Sequence, residues 1–349
     1  MRVNIVIAPG KLLQRAGWVI VISAIWAFLL AACSFTTLPP LPTATPRPSH
    51  TPSEIPSPTF IRPTSTPSAT GTPTEPPSSP TPTDTTVPQS VRFAVIGDYG
   101  SGNQAEANVA ALVKSWNPDL IITTGDNNYP DGTSDTIDEN IGQFFHEFIS
   151  PYRGSFGEGA QENRFFPSLG NHDWNSTGAQ PYLDYFTLPG NERYYDFTWG
   201  PVHFYALDSD SRETDGVGRT SQQAVWLQNQ LAVSTSAWDI VYFHHAPYSS
   251  GLHGDVDWMQ WPFAKWGADV VFSGHDHTYE RILRDGIVYF VNGLGGMSKY
   301  SFFGVIEGSQ LRYNQDYGAM LVEASENMIR FQFINRMNEV IDTFELIRQ

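Results

Sequence analysis

Short apolar runs recur along the chain, and most of them stop at a glycine followed by Asp, Asn or His. Residues 91–96 read as a strand that ends at Gly97-Asp98. Residues 105–116 carry apolar positions at helical spacing, and Pro118 closes that element. Residues 120–123 form a short buried-strand run before Gly125-Asp126, and residues 165–169 precede Gly170-Asn171-His172-Asp173. Residues 202–207 read as a strand and 221–231 as a helix. Residues 240–243 run into His244-His245, and 269–272 lead to Gly274-His275. The runs at 287–291, 319–323, 328–333 and 340–346 read as further strands, and no internal repeat is visible. The predicted class is α/β.

Polar residues at strand ends matter because ligands of open α/β sheets sit outside the carboxyl ends of the strands. Glycine there lets the backbone turn and side chains converge. Taken singly, Gly-Asp is ordinary turn chemistry. Taken in order, Asp98, Asp126, Asn171, His244 and the pair His275/His277 form one candidate constellation. The chain has a single cysteine, so neither an internal disulfide nor a zinc–thiolate cluster is available. Oxygen and imidazole donors without thiolates suit divalent and trivalent cations of intermediate to hard character.

Composition changes sharply along the 349 residues. Lys11 and Arg15 precede an apolar run at 18–32, interrupted by Ser23 and short for a spanning helix, which takes about 20 apolar residues. Its length and flanks are those of a secretory signal. It ends Leu30-Ala31-Ala32-Cys33, which resembles a bacterial lipobox and makes Cys33 the lipidated first residue of the mature protein. An uncleaved signal anchor is the alternative. Residues 34–90 are dominated by Pro, Thr and Ser, hold too few apolar residues for a core, and read as a disordered stalk stiffened toward polyproline II. A ligand for a proline-binding domain is the rival reading of that stretch. The expected organisation is a signal peptide over 1–33, a linker over 34–90 and a catalytic domain over 91–349. The expected location is extracytoplasmic, on the bacterial cell membrane through a lipid on Cys33. Twenty Lys+Arg against 36 Asp+Glu give a net charge of −16, which argues against a nucleic-acid partner.

The blocks Gly97-Asp98-Tyr99-Gly100, Gly125-Asp126-Asn127-Asn128-Tyr129, Gly170-Asn171-His172-Asp173, Val241-Tyr242-Phe243-His244 and Gly274-His275-Asp276-His277 occur in that order. Their series resembles the five motif blocks of the purple acid phosphatases, within the calcineurin-like metallophosphoesterases. The first block is Asp-x-Gly where most of that superfamily has Asp-x-His. Tyr129 stands three residues after Asp126, the spacing of the family's iron(III)-binding tyrosine. The resemblance implies a four-layer α/β/β/α sandwich of the small, single-domain type similar to tartrate-resistant acid phosphatase. It implies one ion, iron(III), on Asp98, Asp126, Tyr129 and His277. It implies a second, divalent ion (iron, zinc or manganese) on Asp126, Asn171, His244 and His275, with Asp126 bridging. Neighbours on a strand face opposite ways, so only one of His244 and His245 can serve. The family's further histidine nine places on is matched by His253 when counted from His244. The family's proline two residues after the ligand is replaced by Ala246, with Pro247 next.

The activity implied is hydrolysis of phosphate monoesters by a metal-bound hydroxide, on a phosphorylated small molecule or phosphoprotein. His172 and His253 are the candidate acids for the leaving group, with Asp173 expected to orient His172. A phosphodiesterase or nucleotidase on the same metals is the close alternative, and a binding protein with a structural metal is the alternative from another class. Trp258, Trp261, Phe263 and Trp266 read as one helix face packed into the core. The glycine-rich stretch from Asn292 to Gly296 resembles a loop flanking the family's site.

Overall fold

The computed structural model describes residues 3–5, as backbone only, and 90–348. Cys33, the apolar segment before it and the Pro/Thr/Ser stretch lie outside the described residues. Two seven-stranded mixed sheets form the body. The first has the order β1 (Val3–Ile5), β14 (Val340–Arg348), β13 (Met328–Asn335), β12 (Gly318–Ser325), β2 (Ser90–Ile96), β3 (Leu120–Thr123), β4 (Phe165–Pro167). The second runs β11 (Ser309–Tyr313), β9 (Tyr279–Arg284), β10 (Ile287–Asn292), β8 (Val270–Gly274), β7 (Trp238–His245), β6 (Val202–Ala206), β5 (Tyr195–Trp199). Each sheet holds one block of parallel strands: β2, β3 and β4 at one edge of the first, and β6, β7, β8 and β10 through the centre of the second. Their carboxyl ends therefore leave each sheet on one side.

Both faces of the second sheet are buried, which explains its near-continuous apolar runs. In β7, Ile240 and Tyr242 join the core between the sheets, while Val241 and Phe243 join a second core outside. The inner core is aromatic: Phe93 meets Phe204 edge-on at 5.0 Å and Phe166 stacks on Phe197 at 3.8 Å. Such pairs contribute about 0.5–1.5 kcal/mol each beyond their buried area. Helix α4 (Gln222–Val233) covers the outer face of the second sheet with Ala224, Leu227 and Leu231, and α5 (Phe263–Trp266) adds Phe263. On the first sheet's side lie α1 (Gln104–Ser115), the short α2 (Gln143–Phe145) and α3 (Gln180–Tyr185). The architecture is the four-layer α/β/β/α sandwich.

Helix α1 starts at Asn103, whose side chain accepts from the amides of Ala105 and Glu106. Glu106 reaches back to the amides of Ser101 and Gly102, a reciprocal cap that satisfies donors on both sides of the helix start. The Trp258–Trp266 segment departs from expectation. Pro262 separates a 3₁₀ turn at Asp257–Met259 from α5, so its aromatics do not share one helix face. Trp261 and Phe263 are buried, whereas Trp258 is 44% exposed. Among the described residues no helix is long and apolar enough to cross a membrane.

Candidate metal centre

Parallel strands of both sheets deliver their first loop residues to one place. Asp98, Asp126 and Asn171 follow β2, β3 and β4; His244 is the penultimate residue of β7, and His275 follows β8. The backbone strain falls on the polar residues themselves. Asp98, Asp126 and His275 have φ of 55°, 54° and 69°. That left-handed region costs about 1–2 kcal/mol for an L-residue, although Asp and His are among the types found there. Of the preceding glycines, Gly274 answers a different need. A Cβ on it would stand 2.5 Å from Asp98 Oδ2. Gly125 combines both needs, with φ of 87° and the His244 ring 2.8 Å from where its Cβ would be.

The seven side chains form two groups with one atom in common. In the first, Tyr129 Oη lies 2.8 Å from Asp126 Oδ2, 3.4 Å from Asp98 Oδ1 and 3.3 Å from His277 Nε2. His277 Nε2 is 3.3 Å from Asp98 Oδ1. In the second, His244 Nε2 lies 3.0 Å from Asn171 Oδ1, 3.1 Å from His275 Nδ1 and 3.4 Å from the same Asp126 Oδ2. Metal–ligand bonds of about 2.0–2.2 Å place neighbouring ligands of one ion roughly 3 Å apart, the spacing found in both groups.

The donor chemistry fits cations and fits poorly without them. His244 Nδ1 faces the Thr124 carbonyl at 2.9 Å, so it carries the proton. Its Nε2 then offers a lone pair toward Asn171 Oδ1 and Asp126 Oδ2, which are acceptors too. Only an added proton or a cation reconciles three acceptors. Burial works against a charged His244, but the Asp126 and Asp98 carboxylates outweigh it and raise its pKa. Burial and the surrounding imidazoles, His244 first among them, push His275 far down, leaving it a neutral imidazole. Burial and then the Asp126 and Asp98 charges push the Tyr129 phenol well up. Burial opposes ionisation of Asp98, yet its bond and charge contact with His277 hold it below the usual carboxylate range. Asp98, Asp126 and His277, all buried, offer ligand atoms within 4.8 Å of one another.

The sequence profile of the calcineurin-like phosphoesterases matches residues 91–279, more than half of the chain. The chain belongs to the calcineurin-like phosphoesterase family. Purple acid phosphatase 22 of Arabidopsis thaliana is 31% identical over 208 residues, which are 56% of this chain and 46% of that protein. The chain spans about half the length of several curated relatives it matches. A purple acid phosphatase from yellow lupin seeds superposes with a TM-score of 0.56 at 18% identity, over 73% of this chain and 53% of that one. GAP50, described as the anchor in the inner membrane complex of Plasmodium, superposes with a TM-score of 0.60 at 21% identity, over 74% and 90%. Both structures share the fold.

Around this calcineurin-like centre, one expected contact does not form. Asp173 does not orient His172. Its buried carboxyl accepts from the Asn127 amide at 3.1 Å, the Asn127 side chain at 2.9 Å and the Gly170 amide at 2.9 Å. The adjacent side chains of a tight turn diverge, and Asp173 holds the loops of β3 and β4 together instead. Burial, then the Asp126 charge, push it up to about 7. His172 is held by Pro130 O through Nδ1, and its Nε2 stands 3.9 Å from Asp126 Oδ2. His253 is exposed and stacks on His275 at 4.1 Å. The pleat of β7 turns His244 to the inner face, as the alternation from Ile240 and Tyr242 requires. His245, on the other face, still reaches the site edge, with its ring 4.5 Å from that of His275 and its Nδ1 2.9 Å from Ser209 Oγ. Burial and then His244 lower it to about 3. The glycine-rich loop packs on the exit of β2, where the Gly295 amide bonds Gly97 O and the Met297 amide bonds Asp98 O. Sequence reasoning missed Ser298, which meets His277 Nδ1, and Tyr300, stacked parallel on His277 at 4.1 Å. Neither carries a local signal.

Proposed function

We propose that the chain hydrolyses phosphate monoesters at a two-metal centre, as an acid phosphatase. One observation carries this reading: Asp126 Oδ2 belongs to two donor groups at once, 2.8 Å from Tyr129 Oη and 3.4 Å from His244 Nε2. Asp98, Asp126, Tyr129 and His277 would hold one ion, and Asp126, Asn171, His244 and His275 the other. When bound, such a pair supplies Lewis acidity to phosphoryl oxygens and acidifies water. The phenol of Tyr129 favours iron(III) on its side, and the neutral Asn171 and two imidazoles favour a divalent iron, zinc or manganese on theirs. Thr124 O fixes the tautomer of His244, and Ser298 and Tyr300 fix the ring of His277. His172 and His253 lie beside the ligands, and each can give a proton to a departing oxygen. Phosphorylated small molecules or phosphoproteins are the substrate class.

The decisive experiment combines elemental analysis with rates on p-nitrophenyl phosphate and its bis-ester. Two metal ions per chain and preference for the monoester support the reading; Asp126→Ala and Asn171→Ala variants that keep full turnover overturn it. We further infer, from the apolar run and Cys33, that the protein is lipid-anchored outside the cytoplasm. Globomycin should then block maturation of the precursor, and unchanged mobility under globomycin refutes the anchor.

A further inference from the structure

The loop that presents Asn171 is gripped from two sides, and one grip lies outside every residue set described so far. Arg212, on the loop after β6, donates through Nη2 to Asn171 O at 2.9 Å and through Nη1 to Asn175 Oδ1 at 3.1 Å. Its own position is set by Asp210, whose two carboxylate oxygens accept Nε at 2.7 Å and Nη2 at 2.8 Å. The Asp210 side chain is only 5% exposed. Its amide is in turn tied to Asp208 Oδ1 at 2.9 Å, and Asp208 Oδ2 accepts Trp174 Nε1 at 2.9 Å. The guanidinium lies 5.8 Å from the Trp174 ring centroid.

The geometry of one peptide group gives this arrangement its meaning. Asn171 O and the His172 amide belong to the same peptide plane. Arg212 holds its oxygen, and Asp126 Oδ1 accepts its N–H at 2.9 Å. A cation at the carbonyl and a carboxylate at the amide polarise that unit in the same sense and strengthen both bonds. Fixing this plane restricts the rotation of the Asn171 backbone and so narrows the directions from which Oδ1 can meet His244 Nε2. A neutral amide oxygen is the weakest donor of its group, so its contribution depends on being aimed in advance.

We propose that Arg212, braced by Asp210, is a positioning residue that aims Asn171 and thereby sets the affinity of the ion on the Asn171–His244–His275 side. The inference rests on the two-metal reading of the same site. The test is titration of the metal-free full-length protein with zinc under chelator competition, which yields two dissociation constants per chain. In Arg212→Ala one constant weakens 10–100-fold, the usual effect of losing a partner behind a ligand, while the other is unchanged. Arg212→Lys falls between, because a lysine keeps the charge but cannot serve the carboxylate and both asparagines with one planar fork. Asp210→Asn, which removes the brace, behaves like Arg212→Ala. Melting of the metal-free variants monitors general loosening. Two constants unchanged in both Arg212 variants, or two that fall together, overturn the inference. Uptake of a single ion by the unaltered protein overturns the two-metal reading itself.

Discussion

Removal of the metals, with and without the shared carboxylate, tests the centre most directly. Binding to the native state alone stabilises by about 4.1 kcal/mol per site when free ion is a thousandfold above its dissociation constant. Two such sites contribute about 8 kcal/mol. A domain of this size moves roughly 2–4 °C in Tm per kcal/mol, so chelation should lower Tm by on the order of 20 °C. Asp126→Asn keeps the shape of the side chain but leaves one acceptor oxygen and turns the other atom into a donor. Asp126 Oδ2 is common to both groups while Oδ1 accepts the His172 amide, so an asparagine must set its NH2 against one or the other, and the single neutral oxygen left is a poorer bridge between two cations. Its metal-dependent gain should be half that of the parent or less. The assay is thermal unfolding followed by circular dichroism, at one pH, in buffered free zinc and in excess chelator. A variant whose gain equals the parent's shows that Asp126 bridges nothing, and the two-group description of the centre fails with it.

Other consequences are as direct. Tyr129→Phe should abolish the visible charge-transfer band of the iron(III)-loaded protein while leaving zinc uptake in place; a retained band refutes the phenolate ligand. His172→Ala and His253→Ala should each cut kcat by about 10²–10⁴ on an alkyl phosphate, and far less on p-nitrophenyl phosphate, whose leaving group needs little protonation. Equal losses on both substrates would show that neither histidine acts as the acid. Asp138 provides a pH test away from the metals. Burial alone would raise its pKa, but hydrogen bonds from Tyr152, Ser155 and Tyr185 hold it below the ordinary 3.8. Its contribution is therefore present above that value and lost as pH falls through the lower, folded one. Asp138→Asn should destabilise by about 1–2 kcal/mol at neutral pH, an effect limited by partial exposure, and the gap should close in strong acid. A gap that widens on acidification refutes the assignment.

Where the reading from sequence succeeded and where it stopped have one physical cause. Strands β2, β3, β6, β7, β8 and β10 are covered on both faces, so each appears as an apolar run; Asp98, Asp126, His244 and His275 each stand close to such a run's end, as Asn171 does after β4. The choice of His244 over His245 rests on the spacing to His253, and in the fold the pleat of period two that places Ile240 and Tyr242 inward turns His244 the same way. Strand β9 escaped notice because it carries Glu280 and Arg281 inside it. Glu280 is buried among Ser250 and Ser309, and Arg281 pairs with Asp342, partners 29 to 61 residues away. Nothing local marks such residues as interior. The same holds around the candidate metal centre. Arg212 lies 41 residues from Asn171 and Ser298 lies 21 from His277, on loops that only the two-sheet topology brings near. The residue types of the candidate site are thus written beside each strand, whereas their hydrogen-bond partners come from other strands' loops. Asp173 shows the consequence. Its place next to His172 implied a partnership, but its carboxyl is spent holding Asn127 and Gly170, so proximity along the chain misassigned a contact that only the folded arrangement decides.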